Sequence, residues 1–331
     1  MTEMRMREAL NSALAEELRR DESVFLMGED IGVFGGAFKV SEGLLDEFGE
    51  RRIRDTPISE NTIVGAGVGA AMAGLRPVVE IMTVNFSLLA MDQIVNHAAA
   101  IPYMFAGAVR VPMVIRMPGG GGHQLGPTHS HSFEALYLQV PGLLVACPST
   151  PADAKGLLKA AIRDDNPVVF IEHETLYGTR GDVPDDGAGD HIVDFGEAAI
   201  RREGSDVTIV GILRMAQVAE QAAKTLSSEH GAEAEVIDPR TLRPLDLDTI
   251  LGSVKKTNRA VIVEEGWPHG GFGANLAALI QEQAFDWLDA PVQRVTGADV
   301  PMPYAKRLEQ AAIPHAEHVV SAALAALEER S

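Results

Sequence analysis

Glu60 stands where a side chain can do chemistry. It follows Asp55-Thr56-Pro57-Ile58-Ser59 and opens a run of small apolar residues that reaches Gly74. Pro57 disfavours helix at Thr56, so the chain arrives extended. Ser59 is a candidate N-cap, and the run behind it is long enough for a helix. Glu60 then lies in a first turn almost free of bulky or charged neighbours, where the helix dipole stabilises a carboxylate. Two readings follow: a capping carboxylate, or a buried carboxylate aimed at a ligand. A second cluster is His123, His129 and His131, behind the glycines Gly119 to Gly122. A His-x-His pair suits a metal. A single histidine on a loop held by a rigid sheet suits proton transfer. His315 and His318, spaced i, i+3, could also face a metal, but no third ligand accompanies them. Gly32 to Phe38 is glycine-rich, yet it lacks the Gly-Lys-Ser/Thr ending of a phosphate loop. No Gly-x-Ser-x-Gly elbow is present, which argues against a hydrolase triad.

The elements that must position these residues alternate along the chain. Met6 to Arg19 reads as an amphipathic helix, with Leu10, Ala13, Leu14 and Leu18 at helical spacing. Strands are expected at Ser23–Met27, Pro77–Met82, Val109–Met117, Leu143–Cys147 and Val168–Glu172. Between them, Phe86–Tyr103, Phe133–Val140 and Thr150–Arg163 read as helices, the last with a proline at its start. The pattern lapses around Gly178–Asp194 and then restarts. Strands at Val207–Leu213, Ala234–Ile237, Arg259–Val263 and Val292–Val295 alternate with helices at Ala216–Leu226, Leu247–Val254, Ala274–Phe285 and Ile313–Glu329. Alternation of this kind predicts an α/β fold of two parallel-sheet α/β/α domains. The expected division is residues 1–180, a linker at 181–200, and residues 201–331.

Bulk properties exclude several functions. The 331 residues are 46% hydrophobic and 23% charged, enough to bury a core and too apolar for disorder. The net charge of -19 repels nucleic acid and anionic membranes, and suits a basic protein partner. Cys147, in an apolar run, has no intrachain disulfide partner and suggests a reducing, cytoplasmic setting. No apolar stretch is long enough for a membrane span.

Several motifs together carry a family resemblance. They are Asp55-Thr56-Pro57-Ile58-Ser59-Glu60, Ala71-Met72-Ala73-Gly74-Leu75-Arg76-Pro77, Asn85-Phe86-Ser87, Gln124-Leu125-Gly126 with His129-Ser130, and Lys155-Gly156-Leu157 through Asp165-Asn166-Pro167. With these the chain resembles the β subunits of the thiamin-diphosphate-dependent 2-oxo acid dehydrogenases, within the transketolase superfamily. The resemblance spans nearly the whole sequence. Val263-Glu264-Glu265-Gly266-Trp267-Pro268 and Asp299-Val300-Pro301-Met302-Pro303-Tyr304-Ala305 are similar to the pyruvate-specific members. Branched-chain 2-oxo acid and acetoin members are the alternatives.

The resemblance implies a pyrimidine-binding N-terminal domain and a transketolase-like C-terminal domain. It implies that Glu60 bonds the cofactor's pyrimidine nitrogen and promotes the imino tautomer, which takes the thiazolium proton. Ile58 and Phe86 are implied cofactor contacts, Phe86 packing on the aminopyrimidine. His129 is implied in acyl transfer to a lipoyl disulfide, as acid–base or charge stabiliser. His131 stands where glutamine is frequent, and Thr128 where glutamine or glutamate is, so either imidazole remains open for that role. A structural potassium ion is implied at the main-chain carbonyls of Met113, Ala161, Ile162, Asp164 and Asn166. The Gly-Asp-Gly and Asn-pair motif that holds the diphosphate through magnesium is absent here, and in the family it lies on a separate α subunit. The implied assembly is an α2β2 heterotetramer that docks on a dihydrolipoamide acyltransferase core. A non-catalytic nucleotide-binding module, built on the glycine-rich loops, is the alternative from a different class.

Overall fold

A computed structural model describes residues 1–184 and 190–328. The chain forms two compact units, Met1–Gly119 with Leu136–Phe195, and Gly120–Ala135 with Gly196 onward. By its contacts the segment 120–135 groups with the second unit. Among the described residues no helix is long and apolar enough to cross a membrane.

The first unit contains strands β1 (Thr2–Arg5), β2 (Val24–Gly28), β3 (Ile53–Asp55), β4 (Arg76–Glu80), β5 (Val114–Gly119), β6 (Leu144–Ala146), β7 (Val168–His173) and β8 (Arg180–Val183). Six of them form a parallel sheet in the order β6-β7-β5-β4-β2-β3. The N-terminal β1 pairs antiparallel with β8, an element the sequence pattern did not reveal. Its helices are α1 (Met6–Arg20), α2 (Leu44–Phe48), α3 (Glu60–Met72) and α4 (Ile101–Met104). After the short α5 (Glu134–Leu138) comes α6 (Pro151–Arg163), which Thr150 caps by accepting the Asp153 N–H. The central strands are buried on both faces, as a parallel sheet covered by helices requires. Leu10, Leu14 and Leu18 of α1 join Leu157, Leu158 and Phe170 in one core.

Three expectations need correction. Val109–Pro112 is not strand, and β5 begins only at Val114; Pro112 offers no N–H to a ladder. The single helix expected over Phe86–Tyr103 is a 3-10 segment (Val84–Ala90), a π segment (Gln93–Ala99) and then α4, with Pro102 in its first turn. Ser59 sits at the N-cap position of α3 without capping it, since its hydroxyl donates to Thr62 Oγ1 at 2.8 Å.

The first unit also buries a charge network. Arg116 of β5 donates to both carboxylate oxygens of Glu172 at 2.7 Å and to Glu80 at 2.6 Å. Tyr177 adds a 2.6 Å bond to Glu172. Burial opposes the charge on Arg116, but Glu172 and Glu80 outweigh it and hold the guanidinium above its usual range. Removing one partner strands a buried cation. Glu172→Ala is therefore expected to cost about 3 kcal/mol of stability in urea denaturation. A loss within experimental error would mean that water or Glu80 alone satisfies the guanidinium.

The second unit contains β9 (Ala199–Arg202), β10 (Val207–Gly211), β11 (Ala234–Asp238), the short β12 (Thr241–Arg243), β13 (Ala260–Val263) and β14 (Gln293–Val295). Its five-stranded sheet runs β14-β13-β10-β11-β9, parallel except for the antiparallel edge strand β9. Helices α7 (Arg214–Thr225), α8 (Leu247–Thr257), α9 (Phe272–Ala284), α10 (Lys306–Ala312) and α11 (Ala316–Glu328) complete it. The helix expected from Ile313 starts at Ala316, because Pro314 interrupts the run, and α10 precedes it unforeseen. Part of the expected linker, residues 185–189, and the last residues, 329–331, lie outside the described residues.

Candidate functional site

The first unit places Glu60 as the first residue of α3, with its side chain buried at 5% exposure. The small residues behind it explain the burial without crowding. Gly67 touches Val79 and Met113, so α3 lies close on the sheet. Glu29, directly after β2, is buried too, and its Oε1 has no hydrogen-bond partner. Burial pushes the Glu29 carboxyl up, and the neighbouring charges of Glu60, Asp30 and Glu80 push it further. Two buried acids thus feel one another, one of them with a polar atom left over, a feature that suits a ligand. Phe86 is half-buried in the 3-10 segment, and its N–H donates to Thr83 O at 3.0 Å. Ile58 is 80% exposed, an apolar side chain left on the surface two residues before Glu60.

The glycine-rich loops are not open phosphate cradles. Asp55 accepts the Gly32 N–H at 2.6 Å and the Val33 N–H at 3.4 Å. In the second unit, Glu265 accepts the Gly121 N–H at 2.6 Å. The fully buried Glu309 accepts the N–H groups of Gly122 (3.0 Å) and Gln124 (2.9 Å), and the Gln124 side-chain amide as well. Carboxylates of the chain itself already fill these backbone donors, which removes the structural basis for the nucleotide-module reading.

The same clamp fixes the loop that carries the histidines. Gly126 has φ +78° and is packed under the ring of Tyr304, so any larger residue there meets both strain and steric conflict. His129 is exposed, with Nδ1 2.9 Å from Thr128 Oγ1. His131 lies instead among aromatic rings, 4.4 Å from Phe133 and 5.2 Å from Trp267 between centroids. Its backbone carbonyl accepts the Gly120 N–H at 2.8 Å, and burial holds its imidazole below the usual pKa. The two histidines are therefore physically distinct: His129 is presented to solvent, while His131 is a packed, neutral ring. His123 is exposed. His318 Nδ1 accepts the His315 N–H at 3.0 Å, so that pair caps the start of α11; among the described residues no third ligand joins it.

The carbonyls expected around a cation are engaged in part. Arg76 Nη1 donates to Ile162 O (3.1 Å) and Asp164 O (2.8 Å), and Met113 O accepts the Val168 N–H at 2.9 Å. Asp164 also accepts from the Asn166 backbone and side chain, which closes the turn before Pro167.

Residues 2–180 match the family described as "Transketolase, pyrimidine binding domain", and residues 196–319 match "Transketolase, C-terminal domain". Among curated proteins, the "Pyruvate dehydrogenase E1 component subunit beta, mitochondrial" of Dictyostelium discoideum is 51% identical over 97% of this chain and 90% of its own length. The "Pyruvate dehydrogenase E1 component subunit beta" of Rhizobium meliloti is 50% identical over 97% of this chain and 69% of its own. The chain belongs to the pyruvate dehydrogenase E1 β-subunit family. A solved structure titled "Split gene transketolase, inactive beta4 tetramer" superposes with a TM-score of 0.79 at 25% identity, covering 98% of this chain and 99% of that one.

This E1 β chain carries features that sequence reasoning did not single out. Glu29 is one; its only signal was an acid placed directly after a strand. Glu265 and Glu309 are others, because their partners lie more than 140 residues away. Glu134, buried at 7% exposure, is pushed up to about 8 by burial, with Glu265 and Glu264 adding to the shift. Glu264 also receives the Gly273 N–H at 3.0 Å at the start of α9, where a carboxylate complements the helix dipole.

Proposed function

We propose that this E1 β chain supplies the pyrimidine half of a thiamin diphosphate site and, with an α subunit, carries out oxidative decarboxylation of pyruvate and reductive acetylation of lipoyl groups. The observation that carries the reading is identity of about half, over nearly the whole chain, to pyruvate dehydrogenase E1 β subunits. The buried Glu60–Glu29 pair, with its unpartnered oxygen, suits a ring nitrogen arriving from outside. When bound, thiamin diphosphate supplies the nucleophilic carbon and the electron sink that decarboxylation needs. Glu60 holds the proton at the pyrimidine nitrogen. Phe86 would pack against the pyrimidine, and Ile58 would be a further contact. His129 moves or stabilises a proton where the lipoyl sulfur takes the acetyl group.

The α subunit holds the diphosphate through magnesium and completes an α2β2 assembly, which docks on the dihydrolipoamide acyltransferase core. The -19 charge steers a basic docking domain toward it. The compartment proposed is the cytoplasm; the relatives include both mitochondrial and bacterial proteins, and cell fractionation decides. Co-expression with the cognate α chain tests the whole reading. Pyruvate-dependent acetylation of lipoamide is expected, and faster turnover of branched-chain 2-oxo acids or acetoin would overturn the substrate.

The potassium site stays part of the proposal. A carbonyl oxygen has two lone pairs, and Arg76 and Val168 each use one. A bound ion should raise the thermal midpoint in KCl relative to choline chloride at equal ionic strength. Identical midpoints would show that Arg76 and the Asp164–Asn166 bonds close this turn without an ion.

A further inference from the structure

β3 is the outermost strand of the first unit's sheet. Beside it runs an open groove of about 770 Å³, floored by Phe25, Ala66, Ala70 and Leu75 and rimmed by Arg51, Arg52 and Arg54 with a single acid, Glu22. The arginines differ in what they do. Arg52 is spent on the chain itself, donating to Val24 O (2.5 Å), Leu18 O (3.0 Å) and Asp21 O (2.9 Å). Arg51 and Arg54 are exposed, and neither meets a carboxylate among the described residues. Arg54 Nε donates only to Arg51 O at 3.2 Å, and its guanidinium lies 6.0 Å from the Phe25 ring. Elsewhere arginines find acids: Arg19 pairs with Glu47, Arg76 with Asp165 and Arg163 with Glu17. In a chain of net charge -19, two unpaired guanidiniums on one rim form a local positive site.

The floor is shaped for a chain segment more than for a small ligand. A ligand pocket encloses most of what it binds. This trough is open, and α3 continues past it with Gly69, where an added Cβ would meet nothing. Met72 and Leu75 are also exposed there, at 43% and 41%.

We infer that this groove docks an acidic segment of the α chain, its carboxylates on Arg51 and Arg54 and an apolar side chain against Phe25, Ala66 and Leu75. The inference rests on the E1 β reading and deepens it. The α chain is favoured over other occupants by continuity: β3 leads straight into Thr56–Glu60, the stretch that the α chain is proposed to complete. A chain seated along Arg51–Arg54 is therefore placed to reach the ligand end of the same segment.

The test titrates the full-length chain with its cognate α chain and compares Arg51→Glu/Arg54→Glu with Arg51→Lys/Arg54→Lys. Charge reversal is expected to weaken association at least tenfold and to flatten its dependence on salt, whereas the lysine pair keeps most of the affinity. Thermal unfolding of the isolated chain should barely change, because neither arginine pairs with an acid among the described residues. Association with α that is unaltered in strength and salt dependence overturns the inference while leaving the subunit reading intact. Failure of the unaltered chain to bind α overturns the subunit reading itself. Self-association that only the charge reversal abolishes would assign the groove to a second copy. Calorimetric binding of inorganic phosphate or ATP, lost in the same variant, would assign it to a small anion. Either result overturns the α assignment.

Discussion

Glu60→Gln is expected to give a folded chain that still assembles with α but transfers acetyl groups about a hundred- to ten-thousand-fold more slowly. The side chain is buried at the first position of α3. Glutamine has the same shape, so nothing need repack. It cannot hold a proton at a ring nitrogen in the way a carboxyl group does. The exchange removes a favourable interaction with the helix dipole, about 0.3–1 kcal/mol. It also removes a repulsion, because the Glu60 charge helps raise the Glu29 carboxyl. An acid whose folded-state pKa is raised destabilises the fold at pH above its unfolded pKa. Relief of that shift should offset the lost dipole interaction near neutral pH, and the urea midpoint should move little. A large loss of turnover with stability kept marks a residue retained for chemistry. Turnover within a few-fold of the unaltered chain would remove Glu60 from the mechanism.

The alternation of strands and helices was legible in the sequence because a buried parallel sheet writes short apolar runs between helical periodicities. What was not legible is local at Ser59 and Pro112, and elsewhere depends on partners distant in the chain. Ser59 has the residue type of a cap, yet its hydroxyl turns to Thr62. Val109–Met117 is apolar enough for a long strand, but Pro112 shortens it. The glycine-rich loops left a nucleotide-binding module open as an alternative, because local sequence shows the donors and not the acceptors. Their acceptors are Asp55, Glu265 and Glu309, placed there only by the fold. For the same reason the membership of residues 120–135 in the second unit carries no local signal. Glu60 and His129 were found through motif resemblance, and the structure adds burial for one and exposure for the other.

That contrast makes His129→Ala the second large effect, and one that two assays divide. His129 is exposed on a loop pinned elsewhere, through Glu265, Glu309 and the Gly120–His131 backbone bond, none of which uses its ring. Its loss should therefore leave the loop and the fold unchanged. Decarboxylation followed with an artificial electron acceptor should survive better than acetyl transfer to lipoyl groups, which is expected to fall about a hundredfold or more. Equal losses in both assays would place His129 at an earlier step. His131→Ala is the control that separates the two imidazoles. His131 contributes ring contacts with Phe133 and Trp267, and burial keeps it neutral at physiological pH. Its removal opens a gap between those rings and should lower the thermal midpoint, a cost that His129→Ala does not carry. If His131→Ala instead kept its stability and lost acetyl transfer selectively, the packed ring and not the exposed one would be the group that meets the lipoyl sulfur.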